Sequence, residues 1–162
     1  MILIAAGSNL PFCGLDSQHI VLKAFRAIDR ISRVKKFSSL YETPAWPDDT
    51  DPPFINAAAS IETEMTPEAL LAALHAIEAG FGRRRSARNA PRTLDLDLIA
   101  YHQERRSGAG GGLALPHPRL AERAFVLTPL AEIAPSWRSP VTGESAAAML
   151  DRLPVKELRK IA

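Results

Sequence analysis

Pro91-Arg92-Thr93-Leu94-Asp95-Leu96-Asp97-Leu98-Ile99 reads as a strand with two unlike faces. Side chains alternate across a β-strand, so Leu94, Leu96 and Leu98 face a core while Thr93, Asp95 and Asp97 point to the opposite side. On a helix the same spacing would turn the two carboxylates nearly away from each other. A strand that is apolar on one side and polar on the other suits an antiparallel sheet.

The segments before it supply partners for such a sheet. Met1 to Ala6 is an apolar strand ended by a turn at Gly7-Ser8-Asn9. From about Asp16 to Ile31, Ile20, Val21, Ala24, Phe25, Ile28 and Ile31 recur at helical spacing, with Asp16 or Ser17 as the cap. Val34 to about Tyr41 reads as a second strand, and residues 42–53 hold four prolines, too many for regular structure. Phe54 to about Glu62 is a third strand. A helix over about 67–80 opens with Thr66 as N-cap and Pro67 at its first position, and it ends near Gly80 and Gly82. After the 94–101 strand, the glycine tract 108–112 leads to a short strand near 113–115, a turn at Pro116-His117-Pro118, a helix within about 119–133 and another near 145–153. The order β-α-β-β-α-β plus a C-terminal appendage predicts an α+β, ferredoxin-like antiparallel sheet with helices packed on one face, in a single domain over 1–162.

Composition narrows the function classes. The 162 residues, 46% hydrophobic and 23% charged, fit a soluble globular chain. One cysteine, Cys13, excludes an intrachain disulfide and a multi-cysteine metal centre, and points to a reducing, cytoplasmic setting. The opening apolar run lacks a basic leader and is too short for a signal peptide or membrane span. The net charge of +2 hides an asymmetry: residues 1–82 carry 6 basic and 10 acidic side chains, residues 83–162 carry 14 and 8. Anion-binding chemistry is therefore expected in the second half.

Asp95 and Asp97, held side by side, repel unless a cation lies between them, and hard oxygen ligands suit Mg²⁺. Two aspartates on a solvated sheet face would be unremarkable by themselves. Immediately before them, however, Arg83, Arg84, Arg85, Arg88 and Arg92 occur within ten residues that contain no acid. Guanidinium forks match phosphate oxygens in pairs, so basic loop and paired acids together suit phosphoryl transfer. There is no G-x-x-x-x-G-K-[ST] loop, no H-E-x-x-H among the four histidines and no G-x-S-x-G elbow. Tyr41, Phe54 and Phe125 lie near strand ends or loops, and the Asn56 amide can donate and accept at once, a set that suits a flat heterocycle as well as an ordinary core.

Taken together these stretches resemble hydroxymethyl-dihydropterin pyrophosphokinases, the folate-pathway enzymes that move a pyrophosphoryl group from ATP to a reduced pterin alcohol. The resemblance is carried by Gly7-Ser8-Asn9-Leu10, Tyr41-Glu42-Thr43-Pro44, Phe54-Ile55-Asn56-Ala57-Ala58, Ile77-Glu78, Gly82-Arg83, Pro91 to Asp97, Pro116-His117-Pro118-Arg119, Glu122-Arg123-Ala124-Phe125 and Pro129 to Pro135. It implies that Asp95 and Asp97 hold two Mg²⁺ ions bridging the ATP phosphates, and that Arg83, Arg85, Arg92, Arg123 and His117 neutralise those phosphates. Arg83, Arg92, Asp95 and Asp97 would be the catalytic set. Phe54 and Phe125 would sandwich the pterin, with Thr43, Pro44 and Asn56 lining its pocket, and Glu78 and Ile99 would flank the adenine or metal side. The implied partners are ATP and hydroxymethyl-dihydropterin, with no nucleic acid and no membrane, in a monomer. Many relatives read Trp-Gly where this chain has Asn89-Ala90, and some carry tyrosine where it has Pro118. Two alternatives stand beside this expectation: a small RNA-binding module of the same architecture, and an inactive paralogue.

Overall fold

Ile2–Ser8 forms the first strand, β1, and its apolar residues fall on both faces. In the computed structural model, which describes residues 1–45, 49–83, 91–154 and 158–161, β1 runs through the middle of the sheet. It is followed by α1 (Ser17–Ile31), β2 (Arg33–Phe37), β3 (Tyr41–Thr43), β4 (Phe54–Glu62), α2 (Pro67–Gly80) and β5 (Asp95–Tyr101). The C-terminal part adds β6 (Arg106–Ser107), β7 (Ala114–Leu115), α3 (Ala124–Ile133), α4 (Ala146–Leu150) and β8 (Arg159–Lys160). The main sheet has the order β5-β1-β4-β3-β8, with β2 also on β4. The β1, β2, β3 and β5 pairings in this sheet are all antiparallel. This is the α+β, ferredoxin-like arrangement expected.

Local chemistry fixes the helix ends. The Asp16 side chain accepts the His19 N–H at the start of α1, and Thr66 accepts the Ala69 N–H before Pro67 in α2. Ile20, Val21, Ala24, Phe25 and Ile28 of α1, with Leu70 and Leu74 of α2, pack against Ile2, Ile4, Ala6, Leu96 and Leu98. Each fully buried Leu or Ile there stabilises the fold by roughly 1.5–3 kcal/mol.

Four expectations are corrected. The helices do not lie on one face only: α3 and α4 cover the other, where Leu127, Leu130, Ile133 and Met149 pack on Leu3, Ala5, Ala58 and Ile99. The expected strand over 34–41 is two strands, because Ser38 interrupts it. Its N–H donates to the Ala58 carbonyl at 2.8 Å, and its hydroxyl accepts the Ala58 N–H at 2.9 Å, which redirects the chain along β4. Gly7 and Ser8 are strand residues, not a turn, since each pairs across β4. The glycine tract closes a small separate hairpin of β6 with β7, not a link from β5 to an isolated strand. Among the described residues no helix is long and apolar enough to cross a membrane.

Candidate active site

The register of the sheet gathers the predicted residues into two adjoining rows. Gly7 of β1 lies opposite Asp95 of β5 on one side and Asn56 of β4 on the other, and Asn56 in turn lies opposite Tyr41 of β3. One pleat away, Ala5 lies between Asp97 and Ala58, and Thr43 pairs with Phe54. Alternation puts all of these side chains on the face covered further along by α3. Gly7 leaves the floor between the acids and the ring-lining residues open. A Cβ there would already touch Asn56 Oδ1 at 3.4 Å and Phe54 Cδ1 at 3.9 Å.

Among the described residues three carboxylates and three guanidinium groups meet at this end of β5, with Asp95 and Asp97 on the α3 side and Glu78 reaching in from α2, which packs on the opposite face. Arg83 donates to Glu78 and to Asp95, and more weakly to the Leu94 carbonyl at 3.3 Å. Arg92 donates to the other Asp95 oxygen at 2.7 Å, and Arg123 to Asp97 at 2.8 Å. Arg123 precedes α3 without capping it, which leaves its side chain for Asp97. Glu78, only 4% exposed, also accepts the Leu96 N–H at 2.6 Å, so α2 and β5 are tied through one carboxylate. His117 Nε2 lies 4.0 Å from Asp97, and its backbone N–H donates to the Ile99 carbonyl at 2.8 Å. The Ile99 side chain is fully buried under α3, so what it turns toward this region is its carbonyl.

The ionisation of these groups follows from burial and neighbours. Burial pushes the Asp95 carboxyl up, but the charges of Arg92 and Arg83 outweigh it and hold the group below the usual carboxylate range. Burial raises Glu78, against the Leu96 N–H and Arg83, and the negative charges of Asp95 and Asp97 add to the rise. Burial lowers His117 despite the nearby Asp97.

The ring-lining residues border the same cluster. Asn56 Nδ2 donates to Thr43 Oγ1 at 2.9 Å, which fixes the amide with its oxygen facing Gly7. The Arg92 guanidinium lies 5.8 Å from the Phe54 ring centre, and that of Arg123 lies 5.7 Å from Phe125. Each arginine therefore links a carboxylate to an aromatic face. Pro44 is exposed beside Thr43. Arg85, the remaining arginines of the loop and Asn89-Ala90 lie outside the described residues.

Two residues of this region escaped the sequence reading. Gly7 looked like a turn glycine, although the unbroken pairing of β1 demands only a residue small enough for the floor. Asn9 is 1% exposed; its Oδ1 accepts the Arg92 N–H at 2.8 Å, and its Nδ2 donates to the Pro52 carbonyl at 3.0 Å. A polar residue straight after an apolar strand was the available signal, but it does not say what the amide binds. Gly82 does match its sequence role: it has φ +72°, and a Cβ there would run into the Phe12 ring. That turn delivers Arg83 to Glu78 and Asp95.

A divalent cation is compatible with the donor set. Among the described residues no group of three or more His, Cys, Asp or Glu is placed to hold a metal. Two hard carboxylates without a protein cage suit Mg²⁺, which usually completes its shell with water and substrate phosphate.

Comparison with known proteins bears on the fold and the family. The solved HPPK-DHPS chain of Plasmodium falciparum with pteroate superposes with a TM-score of 0.69 at 11% identity, covering 93% of this chain and 42% of that one. This supports the fold, and the present chain spans less than half of that protein. A curated relative from Methylorubrum extorquens, named 2-amino-4-hydroxy-6-hydroxymethyldihydropteridine pyrophosphokinase, is 42% identical over 80% of this chain and 79% of its own length. One of the same name from Pseudomonas aeruginosa is 35% identical over 99% of this chain and 96% of its own length. Residues 3–135 match the family described as 7,8-dihydro-6-hydroxymethylpterin-pyrophosphokinase, and the chain belongs to that family.

Proposed function

We propose that this chain, as a single domain acting in the cytoplasm as a monomer, transfers the terminal pyrophosphoryl group of ATP to 6-hydroxymethyl-7,8-dihydropterin and releases AMP. The observation that carries the reading is the shared floor of the site. Asp95 and Asp97 stand on one side of Gly7 and the Asn56–Thr43 pair on the other, so a ring and a metal-bound phosphate chain can lie side by side on one sheet face.

Asp95 and Asp97 would hold two Mg²⁺ ions. Bound there, the metal would neutralise phosphate oxygens and polarise the attacking hydroxyl. The chain's own part is position and charge. Phe54 and Phe125 would stack on the pterin, with Thr43, Pro44 and Asn56 bordering it. Arg83, Arg92 and Arg123, now paired with carboxylates, have the fork geometry to exchange those partners for phosphate. Among the described residues each of these guanidinium groups already faces a carboxylate, so an entering nucleotide would bring its cations to the acids as its phosphates take up the arginines. His117 and Arg85 would contact phosphate, and Glu78 would act from beneath by holding Arg83. Attack of the pterin hydroxyl oxygen on the β-phosphorus forms the new P–O bond as the bond to the α-phosphate oxygen breaks; AMP leaves with that oxygen and the hydroxyl proton is released to water.

The RNA-binding alternative would require exposed aromatics on the central strands, whereas the inner strand β1 has none and the edge strand β5 presents Asp95 and Asp97. Incubation with ATP, Mg²⁺ and the pterin tests the proposal and separates it from an inactive paralogue. AMP should appear in step with pterin consumption. Formation of ADP would contradict transfer at the β-phosphorus, and the absence of any nucleotide product would favour the inactive paralogue.

A further inference from the structure

We infer that Glu132 is a positioning residue that sets the spacing of the two walls of the pterin pocket. This rests on the function proposed above. Glu132 lies on α3 seven residues after Phe125, two turns along the same side of the helix. Its carboxylate accepts the Ser39 N–H at 3.2 Å, the Ser39 hydroxyl at 2.9 Å and the Tyr41 hydroxyl at 2.8 Å, with Lys160 Nζ of β8 at 3.6 Å. Tyr41 pairs with Asn56 across the sheet, and two residues on, Thr43 accepts the Asn56 amide. A continuous path therefore joins Phe125, on one wall, to Thr43 and Asn56 on the other.

The apolar cluster beneath α3 contains no residue of β3. Apolar packing thus seats α3 chiefly on β4, while the described side-chain hydrogen bond from α3 to β3 is this polar one. The tie is durable. Burial and the Glu132 carboxylate push the Tyr41 hydroxyl up to about 12, so it stays a donor. Burial opposes ionisation of Glu132, but its bonds to Tyr41 and Ser39 outweigh that and keep the carboxyl below its usual range. Among the described residues, the partners of the Glu132 carboxylate include neither the acids nor the arginines of the phosphate site. Its loss should therefore be felt by the ring and not by the nucleotide.

The test is a pair of titrations, an unreactive ATP analogue with Mg²⁺ alone and then the pterin on top of it. They are run on the wild type, Glu132→Ala, Glu132→Gln, Tyr41→Phe and the Tyr41→Phe/Glu132→Gln double variant. Losing hydrogen bonds to a charged acceptor should weaken pterin binding about tenfold in Glu132→Ala. Nucleotide affinity should stay within about twofold, as for a distant independent site. The double variant should bind pterin no worse than the weaker single, because both changes break one bond. Pterin affinity unchanged in Glu132→Ala, or equal losses of pterin and nucleotide, would overturn the inference while leaving the function intact. If Glu132→Ala fails to fold, Glu132→Gln decides by the same criterion. A wild-type protein that binds the analogue but no pterin would overturn the functional reading and this inference together.

Discussion

Asp97→Asn is expected to lower turnover about a thousandfold or more while leaving the fold nearly as stable as before. The large kinetic effect follows from replacing a hard anionic ligand by a neutral amide on the face where phosphate and metal would meet. The small effect on stability follows from exposure. The Asp97 side chain is 28% exposed and its described ion pairs are with Arg123 at 2.8 Å and His117 at 4.0 Å, and such partly exposed pairs are worth up to about 1 kcal/mol. The variant also frees Arg123 for phosphate, so ATP without Mg²⁺ should bind at least as well as to the wild type. Single-turnover kinetics, calorimetric melting and nucleotide titration with and without Mg²⁺ check the three statements. Near-normal turnover in Asp97→Asn would remove the metal assignment.

Arg83→Ala should damage activity and stability together, and a second substitution should separate the two. Arg83 donates to both Glu78 and Asp95, and Glu78 is 4% exposed with its ionised form already disfavoured by burial. Removing the guanidinium strands a buried carboxylate, at a cost of about 3 kcal/mol. Glu78→Gln on the Arg83→Ala background removes the stranded charge while its side-chain oxygen can still accept the Leu96 N–H, so most of the lost melting temperature should return. Activity should not, because the cation proposed to meet the phosphates is still missing. Recovery of turnover with stability would show that Arg83 is purely structural.

The parts of this fold that were legible in the sequence are those where a single physical rule dominates. The β5 alternation holds because Leu96 and Leu98 meet α1 and α2 while Asp95 and Asp97 cannot be buried there. Asp16 and Thr66 mark helix starts because free backbone N–H groups need an acceptor. What escaped depends on distant pairing. Nothing local in Arg33-Val34-Lys35-Lys36-Phe37-Ser38 says that the Ser38 hydroxyl will meet the Ala58 N–H twenty residues on. β6, β7 and β8 are two-residue strands, too short for any periodicity. The second helical layer had a signal that went unused. β1 and β4 are apolar at successive positions, which is expected when both faces of a sheet are covered.

The candidate site was legible as residue types and not as an arrangement. Asp95, Asp97, Arg92 and Asn56 could be chosen from their chemistry, but the role of Gly7 as the floor between them exists only in the register of three strands. Asn9 and Glu132 likewise act on residues 83 and 93 positions away, a relation no local pattern encodes.

The most direct test of a metal–nucleotide site on this face is paramagnetic broadening by Mn²⁺ substituted for Mg²⁺, in the presence of an unreactive ATP analogue. Amide signals of Ala6, Leu96, Asp97 and Leu98 should vanish first, and those of the glycine hairpin around Gly110 should persist. Broadening centred on the hairpin, or spread evenly over the acidic surface, would contradict the account.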